Sequence, residues 1–352
     1  MTLEELAKLD HALSVPTFTV DIGGTTVTET DGLVTDVSVD ATMDGADRFD
    51  LTIASRFDHE AGEFVDFEWD DVPVGEHVEI ALGYGTPEDL STTLVGSITE
   101  LGTDFPAGGA PTISVSGYGR YHELTSRVVA ERWEDRTDAE IARGLAEAYG
   151  LDADVTRPDG ATTHAVDYNN EDSDAEYLQT LAERNDDGEN PYRVYVRRNE
   201  LVFRPPAKDT EPIIELTYGE SLASFSPSFI DARTLDGIEV RHWDPARKAE
   251  IVGTAGDVNG PRTRTVKRPV SSQREADDIA RRLLHEREDE QFQGTAETIG
   301  LPALDVDRTV ELTGLGERFS GTYYVTDVTH RFDTNGYRTR FDVRLAAAGG
   351  GA

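Results

Sequence analysis

The chain has 352 residues and a formal net charge of −36, with 69 acidic residues against 33 lysines and arginines. Binding to nucleic acid needs a basic face, which this composition does not offer, so nucleic acid is not an expected partner. The absence of cysteine excludes disulfides, thiolate catalysis and thiolate metal sites, and no apolar run approaches the length needed for insertion into a membrane.

The excess of acidic residues predicts a protein adapted to concentrated salt. Arginine supplies most of the positive charge, because lysine occurs only at Lys8, Lys208, Lys248 and Lys267. In molar salt the Debye length falls to about 3 Å, which screens the self-repulsion of such a surface. We therefore expect assembly in the cytoplasm of a halophilic archaeon. The alternative is an acidic surface that repels negatively charged partners in an ordinary cell.

The first third of the chain is predicted to be a β domain over residues 16–121, preceded by an N-terminal extension over residues 1–15. That extension lacks the apolar stretch of a secretory signal. Apolar residues alternate in three runs that indicate strands, namely Phe18-Val20-Ile22, Phe49-Leu51-Ile53 and Val78-Ile80-Leu82. Glycine-containing turns such as Asp31-Gly32 separate the runs.

Residues 122–210 are predicted to be a small α+β insert domain. Two capping boxes begin helices here, one over Thr137 to Glu140 and one over Ser173 to Glu176, and apolar residues at helical spacing follow each. Tyr192-Val194-Val196 and Leu201-Phe203 then flank Arg198-Asn199-Glu200, a pattern typical of a hairpin.

Residues 211–345 are predicted to be a second β domain with one helix near residues 272–288. Ser272 to Glu275 forms the cap, and Ile279, Leu283 and Leu284 supply the buried stripe. Residues 346–352 are small residues only, so we expect a mobile tail.

The two β regions contain a repeated pattern. Val78-Glu79-Ile80 matches Val310-Glu311-Leu312, and glycines follow both. Ile98-Thr99 precedes Leu101 and Phe105 at the same spacing at which Val325-Thr326 precedes Val328 and Phe332. The alternative is chance similarity between alternating strands. If the repeat is real, three copies of the chain place six similar units in a ring, which matches a partner of six-fold symmetry.

The chain resembles the phage late control D family, which are the baseplate hubs of contractile tails, and the hub half of valine-glycine-repeat spike proteins. The resemblance depends on the order in which six short sequence motifs occur. These motifs are Val78-Glu79-Ile80-Ala81-Leu82-Gly83-Tyr84-Gly85, Gly96-Ser97-Ile98-Thr99, Val115-Ser116-Gly117-Tyr118-Gly119-Arg120, Thr137-Asp138-Ala139-Glu140-Ile141-Ala142, Asn169-Asn170-Glu171 and Leu201-Val202-Phe203-Arg204-Pro205. It covers residues 16–210 well and the remainder loosely.

The resemblance implies a mainly β fold with an α+β insert, in which two tandem tail-tube-like β-barrel domains accompany the small helix-containing domain. It also implies a homotrimeric structural hub that connects a hexameric tail tube to a trimeric spike, together with other baseplate proteins. The spike is expected to be a separate protein, because no spike or lysozyme-like domain follows residue 350. The final location would be the virion tail or the baseplate of a contractile injection particle.

Other chemistry is not supported by the motifs. Asp21-Ile22-Gly23-Gly24-Thr25 resembles a phosphate loop of sugar kinases, but it is interpreted as a hairpin turn. His285-Glu286 lacks the second histidine of a zinc helix, because position 289 is aspartate. Asp167, Asn169 and Glu171 alternate as in a calcium loop that lacks its turn glycine and terminal glutamate, so a solvated loop is preferred.

The sequence therefore predicts no catalytic, cofactor or metal residues and no enzyme activity. A tail-associated cell-wall hydrolase remains the alternative, with the sugar-kinase interpretation a remote third. A surface adhesin is a further alternative, and the missing secretory signal argues against it.

Overall fold

The computed structural model describes residues 15–345, apart from residues 66, 70–71, 129–130, 159–160, 170–171, 187–190, 209, 230–234, 245–247, 269, 271 and 290–291. The expected extension over residues 1–15 therefore lies outside the described residues except for Val15, and the expected tail over 346–352 lies outside them entirely. No helix within the described ranges is long and apolar enough to cross a membrane.

The chain is built mainly from strands. The strands are β1 Pro16–Ile22, β2 Thr25–Thr28, β3 Val34–Thr42, β4 Arg48–Ala54, β5 Phe57–Asp58, β6 Glu63–Phe64, β7 His77–Tyr84, β8 Ser91–Asp104, β9 Thr112–Gly119, β10 Glu131–Arg136, β11 Asp152–Val155, β12 His164–Asn169, β13 Arg193–Arg197, β14 Glu200–Arg204, β15 Glu215–Thr217, β16 Leu222–Phe229, β17 Gly237–Asp244, β18 Ala249–Gly256, β19 Thr263–Lys267, β20 Phe292–Ile299, β21 Arg308–Thr313, β22 Gly321–Asp333 and β23 Gly336–Leu345. The helices are α1 Tyr121–Ser126, α2 Asp138–Ala148, α3 Asp174–Asn185 and α4 Gln273–Asp289.

One 13-stranded sheet joins the two β regions. Its strands lie in the order β16-β20-β23-β22-β3-β4-β9-β8-β7-β1-β2, and β21 and β15 branch from β22. The three apolar runs expected in the first region are buried in β1, β4 and β7, where they share one core. The mainly β class is confirmed. Strands from both β regions belong to this one sheet.

The predicted repeat is visible in the strand pairing. The meander β7-β8-β9 and the meander β21-β22-β23 are both antiparallel. A register shift interrupts β8 against β9 between Ile98 and Glu100, and a corresponding shift interrupts β22 against β23 between Val325 and Asp327. A bulge is a specific feature of a strand pair, so its recurrence at matched positions favours repetition over chance.

The insert places its helices against a separate small sheet. The predicted capping boxes are present, since Thr137 accepts a hydrogen bond from the Glu140 amide and Ser173 accepts one from the Glu176 amide. The helices α2 and α3 pack with β13 and β14 around their own apolar core. The predicted hairpin is β13-β14, with Arg198 in the left-handed region at φ 55°.

A second α+β unit interrupts the second β region, and only its helix is predictable from the local sequence pattern. The strands β17, β18 and β19 form a three-stranded sheet, in which β17 and β19 are parallel. The helix α4 covers one face of this sheet so closely that a Cβ on Gly253 would lie 2.1 Å from the Ala276 backbone carbon. This contact explains why glycine is needed there.

Candidate assembly surface

The 13-stranded sheet has one apolar face and one polar face. Along β3, for example, Val37 and Val39 are fully buried, while Ser38 and Asp40 point to the other side. The same alternation holds in β4, β9, β20 and β23, so the polar face continues across both β regions. Such a face borders water rather than a second apolar layer.

Charge is distributed unevenly along this polar face. Among the described residues of the first β region, the charged side chains on the face are acidic except for Arg48, and those carboxylates belong to Asp21, Asp36, Asp40, Asp50, Glu79, Glu100 and Asp104. The second β region instead combines arginines with carboxylates, namely Arg331, Arg338, Arg340 and Arg344 with Glu297, Asp327, Asp333 and Asp342. One pair links the regions, since Arg331 Nη2 lies 2.7 Å from Asp36 Oδ2.

The sheet ends in strands with an open side. Within the described residues, β2 pairs only with β1, and β16 pairs along its length with β20. The strand β8 is also open in part. Its residues Ser91–Ser97 pair with β7, whereas residues 100–104 have β9 on one side and no described strand on the other. Open strands offer backbone donors and acceptors to another chain.

The join between the two regions closes the corresponding part of β22. Residues 327–332 of β22 pair with residues 37–42 of β3. As a consequence Phe332 is 8 % exposed and lies in the core of the first region, with its ring 5.0 Å from that of Phe18. His330 is fully buried on the same stretch, where the Tyr337 hydroxyl lies 2.8 Å from its Nδ1.

A buried arginine fastens the insert to this join. Arg197 lies at the end of β13, donates to Asp305 Oδ1 at 2.6 Å and to Asp47 Oδ2 at 2.8 Å, and also donates to the Thr93 carbonyl. Asp47 and Thr93 belong to the first β region and Asp305 to the second, so one guanidinium connects three parts of the chain. Burial raises the pKa of Asp47 to about 6 despite the charge of Arg197, whereas the neighbouring arginines lower the pKa of Asp305.

Asp307 forms a second buried connection between the insert and the second β region. Its carboxylate accepts hydrogen bonds from the hydroxyls of Tyr195 and Tyr324, at 2.9 and 2.7 Å, and from the Ala207 amide at 2.7 Å. Arg204 Nη1 lies 2.7 Å from the same carboxylate. Burial raises the pKa of both tyrosines. These contacts fix the position of the insert rather than expose a reactive group.

The described residues contain one set of side chains with metal-ligand chemistry, in the insert. Ligand atoms of Asp138, His164 and Asp167 lie within 4.8 Å of one another. Arg184 contacts both carboxylates of this set, at 3.3 Å in the case of Asp138, so a guanidinium already provides positive charge there. The arrangement is that of an ion-pair network, in which Asn185 also donates to Asp138.

The motifs weighed in the sequence have the following places in the structure. Gly23 and Gly24 form the tight turn between β1 and β2, and the Asp21 carboxylate accepts hydrogen bonds from the Gly24 amide and the Thr26 hydroxyl. The hairpin interpretation is therefore confirmed. Asp167 contacts Arg184, and Asn169 is buried on β12, while Glu171 lies outside the described residues. Nothing is described for the side chains of His285 and Glu286.

The residues that hold the join together were not identified from the sequence. Arg197 ends a strand with the sequence Arg-Val-Tyr-Val-Arg, and no local pattern marks it as buried. The only signal was the repeat itself, because the matched Phe105 and Phe332 point to equivalent positions in two units. The predicted absence of catalytic, cofactor and metal residues remains a prediction.

Comparison with solved structures finds the same fold in phage tail proteins. The 43 kDa tail protein of prophage MuSo2 from Shewanella oneidensis superposes with a TM-score of 0.75 at 15% identity, over 93% of this chain and 98% of that one. A tail protein from Neisseria meningitidis MC58 gives 0.72 at 13% identity, over 94% and 96%.

A third solved structure comes from a secretion machine. The E. coli c3393 protein is described as a component of the type VI secretion system, similar to the T4 tail proteins gp27 and gp5. It gives a TM-score of 0.57 at 13% identity, over 92% of this chain and 76% of that one. Identities this low show a shared fold, which is that of phage tail proteins.

A search of curated proteins finds no match. A family model described as the Alg8 N-terminal domain matches residues 12–334. This name differs from that of the late control D family, so the resemblance to late control D remains a prediction. Since the match spans most of the sequence, the chain belongs to the Alg8 N-terminal domain family.

Proposed function

We propose that the chain is the structural baseplate hub of a contractile tail or injection system, of the late control D type. In this proposal three copies form a ring that connects a hexameric tail tube to a trimeric spike. The observation that carries it is the repeated meander, with matched bulges in β8 and β22. Two similar units per chain give a trimer six similar units, so one ring fits three-fold and six-fold partners.

The solved structures with this fold support the proposal by what they are. Two are phage tail proteins, and a third is a component of the type VI secretion system. Structures described as Francisella PdpA-VgrG complexes also share the fold, with a TM-score of 0.56 for one of them. A spike protein and other baseplate proteins are therefore the partners we propose, with a final location in the virion tail or particle baseplate.

The polar face of the sheet suits the wall of a channel. It carries hydroxyls and charges on both β regions, and its ion pairs, such as Arg338 with Glu297 at 3.2 Å, are exposed to solvent. A ring of strands with its polar side inward encloses water rather than an apolar core. We assign this face to the lumen of the hub.

The hub is proposed to act without catalysis. The carboxylates of the described set Asp138, His164 and Asp167 are already paired with Arg184. A tail-associated hydrolase would degrade purified cell wall. Release of soluble wall fragments by the pure protein, lost on boiling, would contradict the structural role.

The acidic composition is proposed to reflect a halophilic cytoplasm. The net charge is −36, and the charged side chains described on the polar face of the first β region are acidic except for Arg48. Screening then stabilises the folded chain as salt rises. Thermal unfolding in 0.1 M and 2 M KCl tests this point, and an unchanged melting temperature would contradict it.

The oligomeric state tests the hub role directly. The full chain, purified in 2 M KCl, should have the mass of a trimer in light scattering and should bind hexameric rings of a tail-tube protein from the same genome. A chain that stays monomeric at all salt and protein concentrations, with the tube protein present, would refute the proposal.

A further inference from the structure

We propose that neighbouring copies join by pairing residues 102–105, at the end of β8, with residues 225–228 of β16 in the next copy. This inference rests on the proposed ring and names its contact surface. It is derived from the two junctions that the repeat defines. One junction is formed within the chain, by β22 and β3, and the other is left open, at β8 and β16.

The first step is the equivalence of β8 and β22. Their matched bulges align Ile98 with Val325, which places Asp104 at the position of Arg331 and Phe105 at the position of Phe332. In β22 this stretch continues beyond its pairing with β21 and lies against β3. In β8 the same stretch continues beyond its pairing with β7, and on the side away from β9 it lies against no described strand.

The second step is the equivalence of β3 and β16. Each is the outer strand of the same series, since β3 pairs with β4 and then β9, while β16 pairs with β20 and then β23. Following the registers through these strands aligns Ser38 with Ser226 and Val37 with Phe225. The outward side of β3 pairs with β22, whereas the outward side of β16 has no strand beside it among the described residues.

The register between copies follows from the register within the chain. Within the chain, Arg331 pairs with Ser38 and Phe332 with Val37. Between copies, Asp104 should therefore pair with Ser226, and Phe105 with Phe225. The Phe225 ring is half-buried beside Tyr323, with centroids 5.6 Å apart, so it offers Phe105 the edge of an apolar core.

Burial supports this assignment. Phe105 is 56 % exposed, whereas its counterpart Phe332 is 8 % exposed. Covering Phe105 in the assembly would remove an exposed aromatic ring from water, which is the main favourable contribution in most protein interfaces. Pro227 has no N–H to donate, so the ladder between copies is expected to hold fewer hydrogen bonds than the one within the chain.

The pairing also closes the sheet. Each unit contributes four strands to the closed path, β3, β4, β9 and β8 in one unit and β16, β20, β23 and β22 in the other. Six units give about 24 strands, which at about 4.8 Å per strand make a ring roughly 40 Å across. The polar face then lines one continuous channel.

Cysteine cross-linking tests the register in a chain that has no cysteine of its own. Directly opposed strand residues have Cα atoms about 4.5–5.5 Å apart, a spacing that a disulfide accepts. The double variant Asp104→Cys/Ser226→Cys should become a covalent trimer on mild oxidation, with covalent dimers as intermediates on denaturing gels. Each single variant should stay monomeric on the same gel.

Two controls separate the possible failures. The variant Ser38→Cys/Arg331→Cys pairs the equivalent residues within one chain, so it should lose its free thiols without a change in mass. If light scattering shows a trimer and this control oxidises, but Asp104→Cys/Ser226→Cys forms no links, the register is wrong while the hub stands. Links in Asp104→Cys alone would indicate a two-fold contact and overturn the inference, and a strict monomer would overturn the hub as well.

Discussion

The two junctions of the repeated sheet use the same strand pattern with opposite results. At the junction within the chain, Phe332 of β22 is buried against β3, whereas at the open junction Phe105 follows β8 and is more than half exposed. Leu101 is half-buried where its counterpart Val328 is 1 % exposed. The same spacing of apolar residues is therefore buried in β22, where the neighbouring strand β3 belongs to the same chain, and partly exposed in β8, where no described strand of the chain lies beside it.

The junctions also differ in their polar anchors. The junction within the chain contains the buried His330 and lies beside the Arg197 cluster. The position equivalent to His330 in β8 is Thr103, which is exposed. A junction between strands of the same chain can bury charged groups in fixed geometry. A junction between separate copies depends more on apolar area and backbone pairing.

Arg197→Ala is expected to have the largest effect. It would leave Asp47 buried without its cation and Asp305 with Arg198 alone, which should lower the free energy of unfolding by on the order of 3–5 kcal/mol. Urea denaturation at constant KCl measures the change. The triple variant Arg197→Met/Asp47→Asn/Asp305→Asn, which removes the charges of these three residues, should recover part of the loss, because it also takes the carboxylate of Asp305 away from Arg198. A loss below about 1 kcal/mol would show that the cluster does not hold the junction.

Phe332→Ala and Phe105→Ala should separate the two junctions. Removing a buried phenylalanine side chain costs about 3 kcal/mol or more, so Phe332→Ala should strongly destabilise the monomeric chain. Phe105→Ala should lower the stability of that chain by about 1 kcal/mol or less, because the Phe105 ring is more than half exposed even though it contacts the rings of Phe57 and Phe64. Denaturation at low protein concentration compares them. Equal losses from both variants would contradict the difference in burial.

His330 should make stability depend on pH. Burial lowers the pKa of His330 to about 4, against about 6.5 in the unfolded chain. Between these values the unfolded state binds a proton that the folded state does not, so stability should fall by about 3 kcal/mol as pH drops from 6.5 to 4. The raised pKa of Asp47 acts in the opposite direction over part of this range, since the folded state binds its proton first.

The contribution of His330 is therefore measured as a difference. His330→Gln keeps a polar side chain but removes the titration, so the free energy of unfolding of the wild type should fall relative to that of the variant as pH drops. Denaturation curves at pH 7, 5.5 and 4.5 give this difference. Parallel curves would show that His330 titrates alike in both states.

Local patterns predicted much of the fold. The capping boxes at Thr137 and Ser173 predicted the starts of two helices, because the hydrogen bonds of a cap form within four residues. The spacing from Ile98 to Phe105, compared with that from Val325 to Phe332, also predicted the repeat, and the structure adds a register shift at matched positions of both strands.

Long-range pairing could not be predicted in the same way. Alternation in β17 or β19 shows that a strand forms but does not show which sheet it joins, so the second α+β unit was missed. The pairing of β22 with β3 likewise depends on residues about 290 positions apart, such as Arg331 and Asp36. Arg197 was missed because its partners, Asp47 and Asp305, are brought together only by that pairing.

Arg331→Ala should have the smallest effect. Its guanidinium pairs with Asp36 across the junction within the chain, but the side chain is more than half exposed, so the loss should not exceed about 1 kcal/mol. The loss should shrink further in 2 M KCl, because salt screens exposed pairs. Arg338→Ala, which breaks the exposed pair with Glu297 away from the junction, is the matched control in the same denaturation assay. A loss from Arg331→Ala that is clearly larger and insensitive to salt would mean that surface charge, and not the buried aromatic and ionic groups, holds β22 to β3. Charged side chains on the exposed polar face would then also be expected to hold β8 to the next copy.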